Sequence, residues 1–318
     1  MKILVTGGCG FIGSNFIWYF LKKHPEYKIV NLDKLTYAAN LKNLKGIEES
    51  FKGRYEFVKG DICNEALIDS LVKKCDAIVH FAAESSVDAS IKSPDVFLNT
   101  NILGTHVLLK AALKYKKRFH HISTDEVFGE LSLDDERKFN ENSPYNPKSP
   151  YSASKASSDH LVMSYFYTYG LFVTISNCSN NYGPFQFPEK IIPLFILNAL
   201  QNKELPIYGD GKSVRDYLFV EDHCEAIDLI LHKGKPGNKY CIGGGEEKNG
   251  IEIADVILSK LDKPKKLKKF VKDRPGHDRR YAVDYSKIKN ELGWKPKIAF
   301  DDGIRLTIDW YKNHKDWW

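Results

Sequence analysis

Several absences narrow the field before any motif is read. The six cysteines, Cys9, Cys63, Cys75, Cys178, Cys224 and Cys241, are scattered with no C-x-x-C pair. That usage excludes a disulfide-stapled scaffold or zinc ribbon and suits free thiols in a reducing compartment. No run approaches the ~20 apolar residues that span a bilayer. The N-terminus "MKILVTGG" meets its first glycine at residue 7, too soon for the apolar region of a signal peptide. The expectation is a cytoplasmic protein with no membrane partner. No single-sign charge block suggests a disordered tail, and the net charge of +6 is mild. Arginine is scarce, 8 residues against 39 lysines, yet three of the eight lie within 274–280. The planar guanidinium fork suits bidentate phosphate contacts that lysine cannot copy. The surrounding basic stretch 263–280 carries no helix-turn-helix or aromatic RNA-binding pattern, so no nucleic-acid partner is expected.

What is present points to a large α/β chain. At 318 residues and 42% apolar, it can bury a substantial core in two lobes. Apolar runs rich in Ile and Val at 2–7, 27–33, 55–61, 77–83, 118–124 and 171–178 read as strands. Helical patterns fall near 12–23, 64–73, 94–116 and 151–168. This alternation predicts a Rossmann-type, doubly wound parallel sheet covered by helices on both faces. After residue 183 the texture changes. "GPFQFPEKIIP" carries three prolines, "LPIYGDGKSVRDY" reads as strand, turn, strand, and helices follow near 220–232, 251–261, 285–292 and 302–314. The expected division is a dinucleotide-binding domain over 1–184, with 217–238 returning to it. A smaller mixed α/β substrate domain would comprise 185–216 and 239–318.

"VTGGCGFIGS" follows the first strand and opens the first helix. It satisfies G-x-G-x-x-G with Gly8, Gly10 and Gly13, and an alternative spelling with Gly7, Gly10 and Gly13. Glycines there permit close approach of a pyrophosphate to a helix N-terminus. Asp33 ends the second strand twenty residues after Gly13, where a carboxylate bonds a ribose 2′-OH and repels a 2′-phosphate. NAD is therefore expected over NADP. "GDI" (60–62) and "FAAES" (81–85) end the next two strands and offer further cofactor contacts.

Two constellations carry chemistry. In "SPYSASKAS", Tyr151 and Lys155 stand one helical turn apart, and an ammonium near a phenol favours the ionised form. That pair suits a general base for alcohol oxidation beside NAD. In "HHISTDEVFGE", Asp125 and Glu126 are adjacent carboxylates where a strand leaves the core. Neighbouring strand residues point to opposite faces, so one shared site requires the strand to end or bend there.

Together "TGGCGFIGS", Asp33, "FAAES", "ISTDEVFG", "YSASK" and "NNYGP" resemble the extended short-chain dehydrogenase/reductase family over essentially the whole chain. Thr-Asp-Glu at 124–126, "SNNYGPFQFPEKIIP", "PIYGDGKSVRD" and "DRPGHDRRYA" are similar to its dTDP-glucose 4,6-dehydratase branch. The resemblance implies an NAD-dependent lyase of deoxysugar biosynthesis acting on a nucleotide sugar, with Thr124, Asp125, Glu126, Tyr151 and Lys155 catalytic. In that scheme Tyr151 takes the 4-hydroxyl proton, Glu126 removes the C5 proton and Asp125 protonates the leaving C6 hydroxyl.

It further implies cofactor contacts at Gly7, Gly10, Phe11, Ile12 and Gly13, then at Asp33, Lys34, Thr36, Asp61 and Ile62. Phe81, Ala82, Ala83, Ser85, Thr100 and Asn181 complete that set with Tyr151 and Lys155. Substrate contacts implied are Ser85, Thr124, Asn180, Lys190 and Ile191, with Pro206, Tyr208, Arg215, Asn249, Arg274 and His277 from the second lobe. Arg215 and Arg274 are the diphosphate candidates, no metal is implied, and a homodimer through helices 94–116 and 151–168 is. Ser86 and Ala89 replace a histidine and an arginine usual in the family, and Phe128 a tyrosine. A nucleotide-sugar 4-epimerase or decarboxylase would share the C4 oxidation but has no use for Asp125 beside Glu126. A non-catalytic NAD-binding regulator would need none of the four acid–base residues.

Overall fold

A computed structural model describes residues 1–273 and 276–318. Six strands alternate with helices in the first half: β1 (Lys2–Thr6), β2 (Lys28–Asp33), β3 (Tyr55–Lys59), β4 (Ala77–His80), β5 (Arg118–Thr124) and β6 (Val173–Cys178). The later strands are β7 (Asn180–Tyr182), β8 (Leu205–Tyr208), β9 (Val214–Phe219), β10 (Asn238–Ile242), β11 (Glu247–Asn249) and β12 (Lys268–Val271). Seven of them form one sheet in the order β10-β6-β5-β4-β1-β2-β3, every pair parallel. The order reverses beside β1, where ligands bind in open parallel sheets.

The sheet is buried on both faces because alternate residues of each strand serve opposite cores. Leu4, Val30, Ile78, Phe119 and Val173 pack under helices Glu65–Val72, Thr105–Lys114 and Pro150–Tyr169. Ile3, Val5, Ile29, Ala77 and Val79 pack under helices Phe11–Lys23 and Val220–Lys233. A separate core joins Tyr182, Phe195, Ile207, Tyr217, Ile257 and Ile304. It sits among helices Ile191–Leu200, Gly250–Lys260 and Phe300–Asn313.

Two details depart from the sequence reading. Strand β10 joins the large sheet, so the chain stays in that sheet four residues past the boundary expected at 238. The strand, turn, strand of "LPIYGDGKSVRDY" forms as expected, β8 pairing with β12 and β9 lying between β7 and β11. The helix expected at 94–116 has a π-helical stretch, Leu98–Gly104, between Pro94–Phe97 and Thr105–Lys114. As a continuous 21-residue span, Pro94–Lys114 is long and apolar enough to cross a membrane, which the sequence reading found nowhere. Half of its most apolar stretch is buried inside the fold.

Candidate active site

The glycine loop chooses between its two spellings. Gly7 has φ +74°, and a Cβ there would lie 2.6 Å from the Ala82 nitrogen and 2.7 Å from its Cα. A Cβ on Gly13 would lie 2.4 Å from the Gly7 carbonyl oxygen. Gly7, Gly10 and Gly13 face the cleft, whereas Gly8 packs inward against Asn31 and Ile17. Helix Phe11–Lys23 starts at Gly10 with no side-chain cap, so its first N–H groups point to the cleft as an anion seat. Asp33 is buried, accepting from Cys9 N (2.8 Å) and Leu35 N (2.8 Å). Burial pushes its carboxyl above the ordinary value.

All the expected cofactor residues line this one cleft. Beyond the glycine loop, Phe11, Ile12 and Asp33, they include Lys34, paired with Asp61 at 2.7 Å, and Thr36, Ile62, Phe81, Ala82, Ala83, Ser85, Thr100 and Asn181. Tyr151 and Lys155 form its floor with Thr124, Asp125 and Glu126. A second cleft opens beside it, lined by Asn180, Lys190, Ile191, Pro206, Tyr208, Arg215 and His277. The two meet at Glu126, which lines both together with Asn180, Asn181 and Lys190.

The local fold explains how adjacent carboxylates share this junction. β5 stops at Thr124, whose Oγ1 accepts the Glu126 N–H at 3.2 Å and caps a single 3₁₀ turn, Asp125–Phe128. Gly129 ends that turn at φ +85°, and a Cβ there would lie 2.6 Å from the Asn146 carbonyl oxygen. The strand's alternation is broken where both acids are needed. Asp125 is 1% exposed. Burial first, then the Glu126 and Asp216 carboxylates, hold it well above the usual carboxylate range. Its Oδ1 accepts from Thr124 Oγ1 at 3.2 Å, while Oδ2 has no partner among the described residues. Burial and its acidic neighbours thus bias Asp125 toward its protonated, acid form.

Helix Pro150–Tyr169 places the base. Ser149 and Ser152 form a reciprocal capping box, with Pro150 in the first turn, an arrangement worth about 1 kcal/mol. Tyr151 is therefore in the first turn, buried against Phe97. Burial and, after it, the Glu126 carboxylate push the Tyr151 phenol well above its ordinary value. Lys155 donates to the Ile122 carbonyl (2.7 Å) and lies 3.2 Å from His121 Nε2. Burial lowers it to about 8, opposed mainly by Asp159.

Some residues of the site were not foreseen. Asp159 lies one turn beyond Lys155. Its Oδ2 accepts from Ser123 Oγ, Tyr145 OH and Asn177 Nδ2 at 2.8–3.0 Å, and its Oδ1 faces His121 Nε2 at 3.4 Å. Extending the four-residue step from Tyr151 through Lys155 would have reached it. Asn101, inside the π-helical stretch, bonds both the N–H and the carbonyl of Glu84 and donates to Ser154 Oγ at 2.8 Å. It ties the loop after β4 to the Tyr151 helix, and no sequence signal marked it.

On the substrate side, Arg215 is buried with its guanidinium 4.3 Å from the Tyr281 ring centre, donating to the Val214 and Asp278 carbonyls. Lys190 reaches the Ser85 carbonyl at 3.4 Å. Asn249 stands apart, because its Oδ1 caps helix Gly250–Lys260 through Ile251 N and Glu252 N. Arg274 lies outside the described residues. Of the three family departures, Ser86 caps helix Val87–Lys92, Ala89 donates its N–H to that cap, and Phe128 is buried against Phe139 and Tyr145.

A family model described as GDP-mannose 4,6 dehydratase matches residues 4–307. The chain is 50% identical to the dTDP-glucose 4,6-dehydratase of Salmonella typhimurium, over 100% of this chain and 94% of that protein. It is 52% identical to the dTDP-glucose 4,6-dehydratase of Haemophilus influenzae, over 98% of each. The solved dTDP-glucose 4,6-dehydratase of Bacillus anthracis, in complex with NAD, matches with TM-score 0.93 and 48% identity, over 100% of this chain and 98% of that one. With a Rossmann sheet, a Tyr–Lys helix and an Asp–Glu turn at the junction of two clefts, the chain belongs to the extended short-chain dehydrogenase/reductase family, among its nucleotide-sugar 4,6-dehydratases.

Proposed function

We propose that the chain is an NAD-dependent hydro-lyase that converts dTDP-glucose to dTDP-4-keto-6-deoxyglucose. The carrying observation is the buried Asp125, its carboxyl pushed well above the usual range, beside Glu126 where the two clefts meet. The first cleft fits a dinucleotide, because a side chain at Gly7 would close on Ala82 and the helix N-terminus beyond Gly10 suits a pyrophosphate. Bound there, NAD⁺ supplies a hydride acceptor and later the donor, with a positive charge that favours the ionised phenol of Tyr151.

The chain's own residues handle the protons. Tyr151 takes the proton of the sugar 4-hydroxyl, and the nearby Thr124 hydroxyl favours the ionised phenol against burial. A ketone at C4 makes the C5 hydrogen acidic, and Glu126 accepts it. Asp125 gives its proton to the C6 hydroxyl, which leaves as water, and once C6 has been reduced Glu126 returns its proton to C5. Two carboxylates with environments that separate their protonation states divide acid from base. An epimerase or decarboxylase would use Tyr151 and leave Asp125 idle.

In this reading the large sheet serves the dinucleotide, and the segments 185–216 and 239–318, less β10, serve the nucleotide sugar. Arg215 reaches the diphosphate from the second cleft. A second copy of the chain covers the helices whose Val96, Leu98, Leu103, Tyr167 and Tyr169 are exposed. All six cysteines are free thiols, five of them buried, which suits the cytoplasm. Incubation with dTDP-glucose and UDP-glucose separately tests the reading by mass spectrometry. Loss of one water from dTDP-glucose is expected, and a product of unchanged mass would return the chain to the epimerases.

A further inference from the structure

Remote from both clefts, the C-terminal ends of helices Phe11–Lys23 and Val220–Lys233 bring together His24, Asp228 and His232. One ligand atom from each lies within 4.8 Å of the others. His24 Nε2 is 2.9 Å and His232 Nδ1 3.0 Å from the same oxygen, Asp228 Oδ1. Asp228 and His232 are four residues apart and share one helix face. The carboxylate is buried, whereas His24 and His232 keep partial exposure, which leaves an entry path. We propose that these three side chains form a site for a divalent transition metal of the zinc class.

The surroundings support the three ligands in the way metal sites require. The Tyr27 hydroxyl lies 2.9 Å from His232 Nε2, so it can accept that N–H and leave Nδ1 to the metal. The Glu26 carboxylate lies 3.9 Å from His24 Nδ1, leaving Nε2 to the metal. Lys23 Nζ binds the outer oxygen, Asp228 Oδ2, at 2.9 Å, which fixes the carboxylate plane while Oδ1 faces the two rings. Lys23 is itself held by Tyr19 OH at 2.7 Å, and Phe20 packs against both imidazoles. Two imidazoles and one carboxylate suit zinc, nickel or copper, while magnesium and calcium prefer all-oxygen sets. In the metal-free chain His232 Nδ1 donates to the Asp228 carbonyl, 2.8 Å away; metal uptake there moves that proton to Nε2, where the Tyr27 hydroxyl accepts it.

The site is a structural pin rather than part of the chemistry. It lies about 18 Å along the first helix from Phe11 and joins two helices that cover the same face of the sheet. Zinc bound there stabilises the folded chain by mass action.

The test uses the untagged, NAD-loaded full chain after chelator treatment, titrated calorimetrically with zinc, magnesium and calcium chloride. One saturable zinc site per chain is expected, with no magnesium or calcium binding. His24→Gln and His232→Gln should each weaken zinc binding by more than tenfold. Tyr27→Phe keeps all three ligands, removes only the hydroxyl that faces His232 Nε2, and should weaken binding by about tenfold. Zinc should raise the melting temperature of the wild type and not of the histidine variants, and turnover without zinc should be unchanged in all three. Absence of saturable zinc binding to the wild type overturns the assignment, as does wild-type zinc affinity in both histidine variants.

Discussion

The two clefts are built by different means. The dinucleotide cleft is made largely of backbone: a glycine loop, a helix N-terminus and small residues after strand ends, most within the first 83 residues. The neighbouring cleft is made of side chains that arrive from far apart, with Glu126, Lys190, Arg215 and His277 facing one space. Between them stand groups whose proton affinity is shifted by burial: Asp125 pushed toward its acid form, Lys155 lowered to about 8. Shape decides what enters the first cleft, and charge decides what happens where the two meet.

If that contrast is right, the largest single loss should come from adding one methyl to the backbone cleft. Gly7→Ala puts a side chain at φ +74° and 2.6 Å from the Ala82 nitrogen. It should abolish NAD binding by calorimetry and destabilise the fold by about 1–3 kcal/mol. Unaltered NAD affinity would mean that the loop is only a turn.

Beneath the junction, Asp159→Asn should act through pH. The Asp159 carboxylate raises the Lys155 ammonium against the lowering by burial, so its removal drops that group further. Activity that needs protonated Lys155 should then fade at lower pH, the alkaline limb of kcat moving down by roughly one unit or more. A limb that stays in place, with kcat merely scaled, would reduce Asp159 to packing.

The smallest effect belongs to Asp33. Wild-type protein should bind NAD⁺ well ahead of NADP⁺, and Asp33→Ala should narrow that gap rather than remove NAD⁺ binding, because the glycine cradle remains. Equal affinities in the wild type would refute the role of the carboxylate.

The same contrast explains what could be read from the residues alone. Gly7, Gly10, Gly13, Asp33, Tyr151 and Lys155 sit at fixed steps along one strand or helix, so spacing carries their geometry. The pairing of β8 with β12 and of β9 with β7 and β11 is non-local, and no spacing encodes it. The Lys155 ammonium one turn from Tyr151 was visible in the sequence, whereas the burial and the Glu126 carboxylate that raise the phenol depend on the folded turn. Asn101 escaped because its partner Glu84 lies on another element, whereas Asp159 was legible as the next four-residue step of the Tyr151 helix and only its partner His121 was not.

The central claim is that Glu126 is the base for C5 and Asp125 the acid for C6. It is tested most directly by turnover of dTDP-glucose in deuterium oxide, with product and recovered substrate read by mass spectrometry and NMR. Glu126→Gln should still bind substrate and form NADH, yet lose about 10²–10⁴ in elimination rate and place little deuterium at C5. Asp125→Asn should exchange C5 while losing water slowly, because the base survives and the acid does not. Wild-type rates and labelling in both variants would contradict the account and leave the two carboxylates as a turn at the end of a strand.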